Sequence, residues 1–295
     1  MEDKKMKLKL NKYWYYEIIN KPTKKELKEY YAKKYYQETS WNYKKKYSDS
    51  DLENIKLKFN EKYFVLSSIL NKRKWKILDV WCWEWWGLRF FKNLWRNILW
   101  LDFSEEWIIN QNKDLKRYTK SWNIYDMLEN LEHGHGTKFD VIVLDNILEH
   151  VVDPKKLLDL CISRLAENWI LIIQVPNDFS ALQIDLLNKW LVNEKYRLRY
   201  PDHLSYFNKD SLINLLNECW LSCKFFMATS IIDFNLYNNN SNYIKNKNLW
   251  KSCYEQIKSI DNLFHSISLE KTVKFYQSLA ELGLWRDLIW FFINK

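Results

Sequence analysis

A chain of 295 residues, 47% hydrophobic and 28% charged, excludes general disorder and fits one large α/β domain with extensions. The charged start Met1–Lys12 has no apolar centre and the longest apolar runs, such as Trp169–Ile173, are strand-sized, which argues against a secretory leader or a membrane span. Five cysteines, at 82, 161, 219, 223 and 253, follow no metal-binding spacing and read as reduced thiols in the cytoplasm, while the net charge of +9 gathers in residues 1–60, where 16 lysines face nine acidic residues.

The first 60 residues interleave those lysines with tyrosines at 13, 15, 16, 30, 31, 35, 36, 43 and 47. Such an arm can pair with phosphates and stack on bases; its mixed charges equally describe a solvated helical extension. Thr23 and Glu26 have capping-box spacing for a helix over 24–36, and Ser48–Asp51 cap another that runs to about Leu70. Alternation then begins. Short apolar strands are predicted at 76–80, 97–101, 122–125, 139–144 and 170–175, with helices at 88–93, 105–116 and 154–165 between them. A helix over 209–218 and a strand over 222–228 follow. The Asn-rich stretch 235–248 reads as loop, 250–282 as helical, and 287–293 as a last strand. Strands alternating with helices imply a parallel sheet covered on both faces.

Two counts are abnormal. There are four glycines and 17 tryptophans, although glycine normally makes up about 7% of a chain and is needed wherever φ must be positive. The first strand of the alternating region ends Asp79-Val80-Trp81-Cys82-Trp83-Glu84-Trp85-Trp86-Gly87. Ligands of open α/β sheets bind at the carboxyl ends of the strands, and indoles there would fill the space. With glycine at 81, 83 and 85 the string becomes Asp-Val-Gly-Cys-Gly-Glu-Gly. Glycine also suits position 95 as a helix end, 100 inside the second strand, 169 before the fifth strand, 220 after a helix and 285 before the last strand, and it suits 75, 107 and 122 as well, whereas Trp86 and Trp290 need no replacement. One rule repairs all these sites: a gene in which UGA encodes glycine, translated as though UGA encoded tryptophan.

So read, the segment resembles the first motif of class I S-adenosylmethionine-dependent methyltransferases. The likeness extends over residues 60–293 and is greatest to the small-molecule group that includes the ubiquinone-type O-methyltransferases. Asp145-Asn146-Ile147-Leu148-Glu149-His150 with Asp153-Pro154, Val175-Pro176-Asn177 and His203-Leu204-Ser205-Tyr206-Phe207 match the family's later motifs in order. The resemblance implies a Rossmann-like α/β fold: a seven-stranded, mostly parallel sheet with an antiparallel last strand and helices on both faces. Residues 61–295 would form the methyltransferase domain, with 1–60 a basic helical extension and 231–284 a helical cap inserted before the last strand.

The same resemblance implies a site for S-adenosyl-L-methionine. Asp79, Trp81, Cys82, Trp83, Glu84 and Trp85 supply the turn. Asp102, with Phe103 and Ser104, lies at the ribose; Tyr125 and Asp126 lie near the adenine; Asp145 and Asn146 follow the fourth strand. Transfer to an oxygen needs a base when the nucleophile must lose a proton near neutrality, and His150 and His203 are the candidates. For His150 the alternative is capping of the following helix; for His203 it is packing of the Tyr206-Phe207 turn. A divalent ion among Asp145, Glu149 and His150 is weighed against ordinary loop polarity, and no metal is expected. His133 and His135 read as an exposed loop. The expected partner is a small-molecule acceptor. Two other readings remain: a nucleic-acid methyltransferase guided by the basic arm, and, should the tryptophans be authentic, a non-catalytic binding protein.

Overall fold

The computed structural model describes residues 7–23, 26, 27, 30, 47–70, 75–80, 86–94, 98–102, 119–121, 124–131, 138–193, 196–200 and 202–295. The expected cofactor turn 81–85, Phe103, Ser104, the helix at 105–116, His133 and His135 lie outside the described residues, as does most of the helix expected over 24–36. Of its start, the Thr23 hydroxyl and Glu26 carboxylate exchange the reciprocal hydrogen bonds of a capping box.

Strands β1 (Leu8–Leu10) and β2 (Tyr16–Ile18) precede helix α1 (Asp49–Ile69). Then come β3 (Ile77–Val80), α2 (Trp86–Leu94), β4 (Ile98–Asp102), β5 (Thr119–Ser121), α3 (Ile124–Glu129), β6 (Phe139–Asp145), α4 (Pro154–Ile162) and β7 (Leu165–Pro176). The chain closes with α5 (Ala181–Asn188), β8 (Ser205–Tyr206), α6 (Lys209–Asn217), β9 (Leu221–Ala228), α7 (Trp250–Ile267), α8 (Leu269–Leu282) and β10 (Asp287–Asn294). The large sheet has the order β5-β4-β3-β6-β7-β10-β9. Its first five strands are parallel, and β10 runs antiparallel to β7 and β9. This is the mixed α/β, Rossmann-like architecture.

Central position explains the composition of the middle strands. Ile77, Leu78 and Val80, Val141–Leu144 and Ile170–Ile173 are all buried, as a sheet covered on both faces requires. Each such side chain contributes roughly 1.5–3 kcal/mol relative to exposure. Helix α1 starts at a capping box in which Ser48 and Asp51 satisfy each other's backbone amides. Asp153 caps α4, with Pro154 in the first turn.

Several boundaries differ from the sequence reading. The strand expected at 122–125 lies earlier, at Thr119–Ser121, so Tyr125 and Asp126 belong to a helix. The helical region 250–282 is two helices, broken at Ser268, whose extended backbone (φ −168°) ends α7 while its side chain caps α8. In the first 60 residues, expected to be helical, β1 and β2 form a hairpin. That hairpin pairs with β8 through Tyr16 opposite Tyr206 and Glu17 opposite Ser205. Strands of three residues carry almost no periodicity, and their partner lies nearly 190 positions away.

Helix α1 is fastened to α7 by charge. His265 Nε2 lies 2.9 Å from Glu61 Oε1, Lys58 lies 3.1 Å from Glu61 and 3.2 Å from Asp261, and Lys258 donates to Asp51 at 2.8 Å. Glu61 is wholly buried, so its charge depends on these partners.

Three tryptophans occupy left-handed backbone: Trp14 (φ 71°), Trp190 (φ 56°) and Trp220 (φ 58°). All three side chains are exposed, at 66%, 80% and 75%. Trp190 and Trp220 follow the ends of α5 and α6, the place that Gly283 (φ 74°) takes after α8. A bulky residue there pays a Cβ clash that glycine lacks. Trp75, Trp169 and Trp285 have no positive φ, and Trp75 and Trp285 are buried in the core. We predict that Trp190→Gly and Trp220→Gly each stabilise the chain by about 1 kcal/mol, read as a higher urea midpoint. Trp169→Gly, within β7, is predicted to lower it.

Candidate active site

Strand register gathers the expected cofactor residues. Val80, the last residue of β3, pairs with Leu101 on one side and Leu144 on the other. Asp102 and Asp145, one residue further on, therefore flank the carboxyl end of β3. Asp79 is buried on the same strand. Asp145 Oδ2 accepts from Lys62 Nζ of α1 at 2.5 Å, and Asn146 turns the chain with φ 51° and donates to Asp145 Oδ1. Asn is among the few residues that tolerate this conformation. The Tyr125 hydroxyl donates to the Asp153 carbonyl at 3.0 Å, and Asp126 is exposed in the first turn of α3. Backbone thus brings Asp79, Asp102, Asp145 and Asn146 to one edge of the sheet, while Tyr125 is tied to the start of α4.

Next to this edge lies a buried polar cluster. The turn after β6 carries Glu149 and His150, and the segment before β8 carries Asp202 and His203. Leu204 and Ser205 donate their amides to the Glu149 carbonyl at 2.7 and 3.1 Å, which fixes one segment against the other. The His150 and His203 rings stand perpendicular with centroids 4.9 Å apart. His150 Nδ1 donates to the Asp202 carbonyl at 2.8 Å and lies 3.2 Å from Asp202 Oδ1. Its Nε2 faces Glu149 Oε1 at 3.8 Å, and His203 Nε2 faces Asp202 Oδ2 at 3.8 Å. His150 does not cap α4; Asp153 does. His203 does take part in its local turn, since its carbonyl accepts from the Tyr206 hydroxyl at 3.1 Å.

The two imidazoles are driven apart in acidity. Burial works against a charge on His150, but the Asp202 carboxylate, its hydrogen bonds and Glu149 outweigh it and raise the pKa to about 9. His203 has burial against its charged form too, and the cations His150, Arg199, Arg197 and Arg286 add to it, so its pKa falls well below the usual imidazole value. Burial lifts Glu149 to about 8 against the opposing pull of His150, and lifts Asp178, just beyond β7, to about 7 against Arg197. Near neutrality the cluster holds a charged His150 beside a neutral His203.

Unmet hydrogen-bonding capacity collects here. Glu149 Oε2, both Asp178 oxygens, His203 Nδ1 and Ser205 Oγ are buried without a hydrogen-bond partner, a costly state unless a ligand completes it. Glu149, His150 and His203 also bring ligand atoms within 4.8 Å of one another, the spacing of a cation site. Asp145, grouped with Glu149 and His150 from the sequence, instead pairs with Lys62. Sequence reasoning missed Asp202 and Asp178, although Asp202 adjoins a singled-out histidine and Asp178 follows a matched motif. It also missed Lys62 and the arginines 197, 199 and 286, which no local pattern marks.

These shifts fix a pH dependence of stability. Glu149, Asp178 and His150 all keep protons in the folded chain that the unfolded chain releases at lower pH. Their contribution is full below the unfolded values, 4.5, 3.8 and 6.5, and is lost as pH rises through about 8, 7 and 9. Each retained proton gives a slope of about 1.4 kcal/mol per pH unit. We predict a urea midpoint that falls between pH 6 and 9, and a flatter profile in Glu149→Gln/Asp178→Asn.

No curated protein matches the sequence significantly. Among solved structures, a SAM-dependent methyltransferase from Archaeoglobus fulgidus is 17% identical, with a TM-score of 0.47 over 81% of this chain and 94% of its own. The plantazolicin methyltransferase BamL, solved with a desmethyl analogue and SAH, is 15% identical, with a TM-score of 0.48 over 82% and 86%. Coclaurine N-methyltransferase, bound to N-methylheliamine and SAH, is 12% identical, with a TM-score of 0.46 over 80% and 72%. These likenesses are distant. Over half of the sequence, residues 49–219, matches the profile of the family described as "Methyltransferase domain", and the chain belongs to that family.

Proposed function

We propose that this protein transfers the methyl group of S-adenosylmethionine to an oxygen of a small molecule, in the manner of the ubiquinone-type O-methyltransferases that its motifs resemble. The observation that carries the reading is a neutral His203 with a buried, unpartnered Nδ1, standing against a charged His150 beside the cofactor edge. Asp102 and Asp145 flank the end of β3 and suit a nucleoside with a methionine tail. When bound, the sulfonium supplies an electrophilic methyl.

The chain's own part is orientation and proton management. With the ring proton of His203 on Nε2, towards Asp202, the lone pair lies on Nδ1 and can take the proton of an acceptor hydroxyl. Asp202 faces both rings, so it stabilises the imidazolium that results while holding His150 in place. A proton removed as the methyl bond forms is worth about 10²–10⁴ in rate. The four described cysteines are unpaired, in keeping with a reducing cytoplasm, and no described helix is long and apolar enough to cross a membrane.

Backbone geometry supports the recoding that the motif reading requires. Trp190 and Trp220 stand in left-handed positions after helices, as Gly283 does. UGA codons at these positions and at 81, 83 and 85 are expected; UGG codons would exclude the idea.

One observation favours a second reading. A cleft of about 660 Å³ between the β1–β2 hairpin and the start of α4 has Lys9, Lys12, Lys21, Lys155 and Lys156 among its walls. Glu17 and Asp159 share that wall, and four of the five lysines are paired with Glu17, Asp159 or Glu129, so a phosphate backbone would compete with these carboxylates. RNA binding that weakens steeply with salt, accompanied by methyl incorporation into RNA, would favour it over a small acceptor.

Two measurements test the proposal. Calorimetry is expected to register S-adenosylmethionine binding by the variant with glycine at 81, 83 and 85, and binding at least tenfold weaker by the tryptophan-bearing chain. Equal binding would refute the steric argument. In the glycine variant, His203→Asn is expected to lower kcat for phenol or sugar acceptors by about 10²–10⁴ with KM little changed. Its rate should rise with hydroxide across the neutral range, where the parent is flat. An unchanged kcat would remove His203 from the chemistry.

A further inference from the structure

Three arginines surround His203, and two of them are already matched. Arg197 donates to Asp287 Oδ1 at 2.8 Å, and Arg286 donates to Asp233 Oδ1 at 3.2 Å. Arg199 has no ion pair and no side-chain hydrogen bond among the described residues. It is open to solvent, yet its charge acts on both His203 and Asp178. The turn that carries it is closed by the His203 amide, which donates to the Arg199 carbonyl at 2.6 Å. The backbone of Arg199 is thus tied to that of the proposed base.

The cluster lacks two things at once. It lacks an anion in contact with Arg199, which Asp202 and Asp287 attract only from beyond ion-pair distance. It also lacks hydrogen-bond donors, because Asp178 is buried with neither oxygen bonded and Arg197 Nε, at 3.9 Å, is too far to supply one. A ligand carrying both an acid group and a hydroxyl would meet both deficits. A guanidinium binds carboxylate or phosphate through two parallel hydrogen bonds, so it also sets the ligand's orientation.

We propose that the acceptor is a hydroxylated anion, a hydroxy acid or a phosphorylated alcohol, whose acid group is held by Arg199 while its hydroxyl faces His203 and Asp178. This rests on the methyltransferase reading for the fate of the hydroxyl; the anion site itself does not. The acid group positions, and Arg199 takes no proton.

The test reads binding without methyl transfer, so its failure and that of the methyltransferase reading are separable. Benzoate, phenyl phosphate and neutral benzamide are titrated calorimetrically into the full chain and into Arg199→Gln. One or both anions are expected to bind in the millimolar range, tenfold or more tighter than benzamide, and to lose roughly 10–100-fold in Arg199→Gln. The better-bound anion identifies carboxylate or phosphate as the source. Arg199→Lys is expected to restore part of the affinity, because the charge returns without the fork. Since Arg199 is exposed, an unchanged thermal midpoint establishes that Arg199→Gln is folded. Equal binding of anions and benzamide, no binding of any probe, or anion binding indifferent to Arg199→Gln would each overturn the proposal.

Discussion

Charges taken out of water have to be settled locally, and at the carboxyl edge of this sheet they are settled among neighbours. Glu149, His150, Asp178, Asp202 and His203 come from two turns and one short segment, all within the protein. A lone ionised group there would cost several kcal/mol. Asp202 keeps the proton on His150, and that proton, with the arginines around it, keeps His203 neutral. The dependence runs one way: His203 responds to burial first and then to the charge on His150, whereas His150 answers to Asp202 and Glu149. The backbone bonds from Leu204 and Ser205 to the Glu149 carbonyl hold the two segments together and so set the distance over which these charges act.

The parallel core was legible because its strands are short and largely apolar, Ile77–Val80 and Val141–Leu144 among them, separated by helices with evident caps. Ser48 and Asp153 announce the helices that they begin. Legibility failed where an element owes its existence to a distant partner. The hairpin of β1 and β2 reads as part of a basic arm until β8 is there to pair with it. In the site, His150 and His203 stood out by residue type and motif, but nothing local said that one would be charged and the other neutral. That division comes from Asp202 and from arginines spread over 90 positions.

The tryptophans divide by what the backbone asks of them. After α5 and α6 the chain turns through a conformation that L residues avoid, and an indole projects into solvent from each. At 75 and 285 the backbone is ordinary and the indole is packed in the core, so these two gain nothing from glycine on conformational grounds. The pattern that singled out position 220 was a helix-ending signal, which is local and readable. Position 190 carries the same demand, but α5 itself was not foreseen, and so neither was its ending.

The ion pairs between α1 and α7 tie two stretches of sequence about 200 residues apart. Glu61 has its nearest positive neighbours in Lys58 and His265, and Lys258 answers Asp51. The segment between β9 and β10 is consequently not an ornament that evolution could trim or exchange on its own. Any change of its length or tilt must be matched by the helix that leads into the sheet, so the entrance to the fold and its late insertion are bound to drift together, as a lock drifts with its key.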